Sequence, residues 1–154
     1  MDSADIAASS PDLLLDVHFL ASRAGALGGI EANRALAAFG LRVRSFCVLS
    51  IACTASPQSQ KEIAETLLLD PSQVVMLVDG LESRGLVQRI PDPGDRRARL
   101  VTAIPPGRAL YAEAKESVAA VNRELLHAFD EEEIATLLTL LRRFVPTRRP
   151  ARRG

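Results

Sequence analysis

Three arginines and two aspartates crowd one short segment, "IPDPGDRRARLVTAI" at residues 90–104. Apolar stretches at 86–90 and 100–104 flank a centre of proline, glycine and aspartate, the composition of a turn between two strands. An arginine on the tip of such a hairpin can do what a helix cannot: enter the narrow, negative minor groove of duplex DNA. The plainer alternative is a solvated hairpin laced by its own ion pairs, each worth little in water.

Other chemistries find little footing. There are two histidines, no glycine-rich phosphate loop and no paired carboxylates at catalytic spacing, so no enzyme, metal site or cofactor is expected. Cys47 and Cys53 lie in an apolar stretch without metal-ligand spacing, and six residues apart they do not share a helical face. Nineteen basic residues balance nineteen acidic ones, which argues against a broad polyanion-binding surface. The balance is uneven, because residues 142–154 hold six arginines and no acid, leaving the rest of the chain six charges negative. Any nucleic-acid binding by the folded part must then rest on a few well-placed arginines. With 154 residues, 47% of them hydrophobic, the chain suits one domain, with or without a helical extension. No apolar run reaches the ~18 residues that a membrane span needs. The acidic, polar start "MDSADIAASSPD" is unlike a signal peptide, so a cytoplasmic protein with no membrane partner is expected.

The elements that must carry the hairpin announce themselves by their caps. Ser10, Pro11 and Asp12 are the expected start of a long helix with apolar positions at 13, 14, 17, 20, 24 and 27, weakened at Gly28-Gly29 and followed by a loop at Gly40. A second helix is expected over 41–53, broken by "TASPQ". Ser59 and Glu62 form a capping box that opens a short helix to about residue 67. Asp70 and Pro71 open another, to Arg84, with Gly85 as its left-handed stop and Gln73 able to act as a capping partner of Asp70. Helix, turn, helix, strand, charged turn and strand follow one another here, an order far less common than any single cap. Pro105-Pro106 starts a long helix to about residue 129, and Asp130 caps a last one that is acidic at its start and basic at its end.

In this order the stretch "DPSQVVMLVDGLESRGLVQRIPDPGDRRARLVTAIPPGRAL", 70–110, resembles the winged helix-turn-helix core of MarR-type transcriptional regulators. The run "LVDGLESRGLVQR", the "DRR" of the turn and the glycine at the start of the next helix carry the likeness, which extends more loosely over 12–145. The resemblance implies a mainly α fold with a small β-hairpin wing. Residues 1–10 and the basic tail 146–154 are expected to be disordered. Residues 11–40 and 105–145 would form a helical dimerisation region, and 41–104 the DNA-binding lobe. It further implies a homodimer that acts on a palindromic operator, usually as a repressor. The helix at 71–84 would lie in the major groove and the wing at 91–98 in the minor groove.

Within that frame Arg97 is the arginine expected to insert, by its place in "DRR". Arg96 would meet phosphate or the wing's own backbone, Asp95 would orient a guanidinium, and Arg99 and Arg89 would contact phosphates from the strands. On the helix, Gln73 can read adenine, Ser72 can take a phosphate or a base edge, and Val75 can touch a thymine methyl. Ser59 and Gln60, at the start of the preceding helix, complete the expected DNA surface with Met76. Many relatives carry an arginine or another polar group where this chain has Met76 and Gly80, so specificity is expected to lean on the wing and on DNA shape. Where the family often has a capping threonine, this chain has Ile104.

The resemblance also implies a small phenolic or carboxylate ligand held between the dimer helices and the DNA lobe. His18, Arg42, Arg44, Ser45, Phe46, Ser50, Arg108 and Tyr111 are its candidate contacts, a set that offers both arginines and an apolar slot. Arg44 lies three residues before Cys47 and could lower its thiol pKa. A ligand-binding or thiol-based redox-sensing dimer with weak DNA binding is therefore the alternative. "LLLDVHFLAS" and "EIATLLTLLRRF" are too apolar for a free surface and are expected at the dimer interface, unless they cover the chain's own core.

Overall fold

The computed structural model describes residues 12–145. The proposed cap at Ser10-Pro11 and the terminal segments 1–10 and 146–154 lie outside them. A short 3-10 turn, Asp12–Leu15, precedes helix α1, Val17–Leu36. Asp16 caps α1, its carboxylate accepting the Phe19 backbone N–H at 2.7 Å, so the long helix starts several residues later than the sequence implied. The helix runs unbroken across Gly28-Gly29 because tertiary packing overrides propensity there: α1 lies along the long helix α5, Pro105–Leu125. A 3-10 turn, Ala37–Phe39, ends on Gly40 with φ 62°, and α2 follows as Val43–Ala52.

The lobe between α2 and α5 holds the helix-turn-helix and the wing. Strand β1 is Gln58–Ser59, α3 is Gln60–Leu67 and α4 is Pro71–Ser83, with strands β2 (Val87–Asp92) and β3 (Asp95–Ala103) behind them. The Ser59–Glu62 box closes as expected, with Glu62 N–H donating to Ser59 Oγ and Ser59 N–H to Glu62 Oε2. Gly85 stops α4 at φ 68°. The three strands pair antiparallel in the order β1-β3-β2, with Ser59 opposite Leu100, Arg89 opposite Val101 and Pro91 opposite Arg99. Strands β2 and β3 reach further into the tip than the apolar stretches implied, through a bulge at Pro91/Asp92 to an Asp92–Asp95 pair.

Val48, Leu49, Ile63, Val74, Val78, Leu81, Val87 and Val101 make a dry core between α2, α3, α4 and one sheet face, which Leu36 and Ala114 extend to α1 and α5. The start of α5 is pressed onto the end of α4. Ile104 N–H donates to Leu86 O at 3.1 Å, and a Cβ at Gly107 would stand 1.9 Å from that same oxygen. Only glycine fits there. Ile104 supplies no side-chain cap, yet α5 begins on Pro105-Pro106 without one.

The last helix, α6 (Glu131–Phe144), opens on an Asp130–Glu133 capping box. Ile134, Leu137, Leu138, Leu141 and Phe144 form one stripe along it, and no residue of α6 is buried. These residues do not cover the chain's own core. Among the described residues no single helix is long and apolar enough to cross a membrane.

Candidate nucleic-acid interface

Helix α4 divides cleanly. Val74, Val78 and Leu81 are buried, while Ser72, Val75, Met76, Asp79 and Gly80, at i, i+3, i+4, i+7 and i+8, form an exposed stripe. Met76 is 71% exposed, the most open side chain of the helix's apolar set. Ser72 Oγ donates to Asp70 Oδ1, as does the Ser72 backbone N–H at 2.8 Å, and no capping box forms with Gln73. These bonds from Ser72 lower the Asp70 pKa and commit the hydroxyl's hydrogen to the cap, so it is not free to donate to a phosphate. Gln73 is half-buried at the edge of the stripe.

The wing tip is held by its aspartates through backbone. Asp92 Oδ1 accepts the Gly94 N–H at 2.8 Å and Asp95 Oδ1 accepts the Arg97 N–H at 2.9 Å. Asp95 therefore fixes the turn and orients no guanidinium, contrary to the expectation. The salt-bridged alternative also falls, because among the described residues the ion pairs are Arg34–Glu31, Arg89–Asp79 and Arg89–Glu82, none at the tip. Arg96, Arg97 and Arg99 are all exposed. Strand alternation puts Arg97 and Arg99 on the side of buried Val101, the face that α3 and α4 cover, and Arg96 on the other.

Arg89 goes elsewhere. Its Nε donates to Gln60 Oε1 at 3.0 Å, Nη1 to Glu82 Oε2 and Nη2 to Asp79 Oδ1, while its backbone N–H reaches Glu82 Oε1 at 3.1 Å. Burial alone would disfavour the guanidinium charge, but bonds to Asp79 and the field of Glu82 outweigh it and raise the Arg89 pKa. The expected phosphate contact is instead a strut joining the wing to α3 and α4. The same strut occupies the Gln60 carbonyl, and the Ser59 hydroxyl is already used by Glu62.

Sequence reasoning missed a second strut. Arg84, at the end of α4, donates to Gly40 O at 2.8 Å and Phe39 O at 2.9 Å, across 44 and 45 residues of sequence. Both acceptors are main-chain carbonyls, so no residue type could have signalled the partner.

The candidate ligand residues separate into two groups. Phe46 and Tyr111 stack with ring centroids 5.4 Å apart and a 32° tilt, and Ser50 Oγ donates to Tyr111 Oη at 3.0 Å, so α2 and α5 meet through an aromatic, hydroxyl-bearing seam. Arg108, one turn before Tyr111, donates to Cys53 O at 2.8 Å. Ser45 is spent on the α2 cap, accepting from the Arg42 N–H and donating to Arg42 O. Arg42, Arg44 and His18 are exposed, outside the seam. Burial raises the pKa of Cys47, with no contribution from Arg44. Burial also raises that of Cys53, and the nearby Arg108 charge offsets this only in part. Both shifts disfavour the thiolate, the form that oxidants attack.

A MarR family profile matches residues 39–98, from the 3-10 turn before α2 to the wing. A crystallised MarR-family transcriptional regulator from Rhodococcus sp. RHA1 shares 40% sequence identity, with a TM-score of 0.83 over 88% of this chain and 96% of its own. The CouR protein of Rhodococcus jostii RHA1, solved with p-coumaroyl-CoA bound, is also 40% identical, with a TM-score of 0.80 over 92% of this chain and all of its own. A transcriptional repressor CouR solved on a 23-mer DNA duplex is 30% identical, with a TM-score of 0.78 over 86% of this chain and 94% of its own.

Proposed function

The chain belongs to the MarR family of transcriptional regulators, and on that premise we propose that it is a homodimeric repressor of a palindromic operator. Residues 41–104 act as the DNA lobe, while 11–40 and 105–145 join the two copies. Helix α4 enters the major groove, and Arg97 of each wing enters the flanking minor groove. Arg96 and Arg99 take phosphates. The observation that carries this reading is the tip itself: three exposed arginines whose neighbouring aspartates bond backbone, with no guanidinium of the tip in an ion pair among the described residues. That CouR was solved on a 23-mer DNA duplex supports duplex DNA as the partner.

Replacing Arg97 with alanine is the test. Two such contacts vanish per dimer, each worth about 1–3 kcal/mol, so affinity for a selected operator should fall roughly a hundredfold. The dependence of log K on log salt should flatten by about two units per dimer if each arginine displaces one counterion. Weak, sequence-blind binding unchanged by the substitution would favour instead a sensor that has lost DNA binding. The complete lack of Lys and Arg on α4 is the observation on that side.

Dimerisation is assigned to the stripe of α6, where Leu138, Leu141 and Phe144 stay exposed among the described residues. Leu141→Glu should turn the dimer into a monomer in sedimentation velocity while leaving the lobe's helical signal intact. A persistent dimer would remove α6 from the interface. For the effector, the seam of Phe46, Ser50 and Tyr111 with Arg108 beside it suits an aromatic acyl group bearing a hydroxyl or an anionic tail. The bound p-coumaroyl-CoA of CouR supports an aromatic acyl thioester as the class. Release of DNA on binding such a ligand requires no bond to be made or broken.

A further inference from the structure

We propose that α4 reads thymine methyl groups through Met76 and Val75, so that A·T pairs occupy the centre of each operator half-site; this rests on the reading of α4 as the major-groove helix. The exposed stripe lacks what the other bases require. Guanine is recognised through the paired donors of arginine or lysine, and Pro71–Ser83 contains neither. Cytosine offers a donor to a carboxylate, but the one carboxylate on the stripe, Asp79, is bonded by Arg89. The Ser72 hydroxyl has given its hydrogen to Asp70.

What the stripe presents at its middle is apolar: Met76 at 71% exposure and Val75 at 38%, with Gly80 one turn on and nothing within 4 Å of where its Cβ would be. That open space lets the helix approach a groove wall closely. The apolar mark that a major groove carries at a base pair is the thymine methyl. Methionine, unbranched and polarizable, adapts to such a target where a rigid side chain would need a fixed register. The exposed wing arginines favour the same composition, because A·T tracts narrow the minor groove and deepen its negative potential. Gln73, half-buried at the stripe's edge, is the remaining polar group, and its amide matches adenine.

The experiment uses the full-length protein and a duplex enriched by it from a randomised pool. Each thymine of the enriched site is replaced in turn by uracil, which deletes the methyl and keeps every hydrogen-bonding group. At one or two positions per half-site the affinity should drop about fourfold, the value of one buried methyl group. In Met76→Ala, an exposed position whose replacement leaves the core untouched, the uracil loss should all but vanish at the thymine that Met76 covers, while a position covered by Val75 keeps its own. If an operator is enriched and bound through Arg97 but uracil is tolerated everywhere, or the loss is equal in Met76→Ala, the methyl-reading proposal is overturned and the DNA-binding one stands. If no sequence is enriched, the assignment of α4 to the groove falls and this proposal falls with it.

Discussion

Gly107→Ala is expected to cost more stability than alanine at any other glycine among the described residues. The new Cβ would sit 1.9 Å from Leu86 O and 2.8 Å from Leu86 C, atoms of the main chain that no rotamer change can move aside. Relief requires the start of α5 to lift off the junction of α4 and β2. That would break the Ile104 N–H to Leu86 O bond of 3.1 Å and open the core at buried Leu86 and Val87. Alanine is the better helix former by about 1 kcal/mol. Overpacking commonly costs 1–3 kcal/mol and occasionally more; against this main-chain wall about 4 kcal/mol is expected, which the helix gain reduces to a net loss of about 3 kcal/mol. For a chain of this size the melting temperature should fall by roughly 6–12 °C, read by circular dichroism. A melt within a degree or two of the parent would show that α5 is not seated on Leu86 as described.

Arg89→Ala should weaken DNA binding about tenfold without removing a contact to DNA. The guanidinium joins Gln60, Asp79 and Glu82, groups from two helices, to the first strand of the wing. Without it, two carboxylates are left beside the surface assigned to a polyanion, and the wing loses its tie to α4. Asp79 and Glu82 are substantially exposed, so solvent screens the pair and the folding cost should be about 1–2 kcal/mol. The discriminating readout is the salt dependence. A strut leaves the slope where it was, whereas a lost phosphate contact flattens it by about two units per dimer, as expected for Arg97. Arg89→Lys restores the charge but cannot span three acceptors, and should recover only part of the affinity.

The contrast between these two arginines marks where sequence reasoning holds. Caps were legible because the signal lies within four residues: Ser59 with Glu62, Asp70 ahead of Pro71, Asp130 ahead of the last helix, and Gly85 at a helix end. The wing was legible from its turn residues and flanking apolar stretches, and the resemblance drawn from the same residues agrees with the family and fold found. The start of α1 was not, because Ser10-Pro11 and Asp16 both offer a local start signal and only the surrounding fold selects Asp16. Strand β1, two residues long, has no pattern of its own and is a strand only because residues 100–101 pair with it. Asp95, Arg89 and Arg84 were misjudged or missed for a related reason. A charged residue's type says that it needs a partner, while the identity of that partner is a property of the fold.

Arg84 holds only carbonyl oxygens, at Phe39 and Gly40. Carbonyls are common to every amino acid, so among descendants of this sequence position 39 is free to drift as far as packing allows, and position 40 as far as its left-handed backbone does. The arginine has no such latitude, since two oxygens on successive residues call for a flat, forked cation and a lysine offers a single point of charge. Lineages that change the helix junction freely while keeping this one side chain would be preserving the angle at which the reading head is mounted.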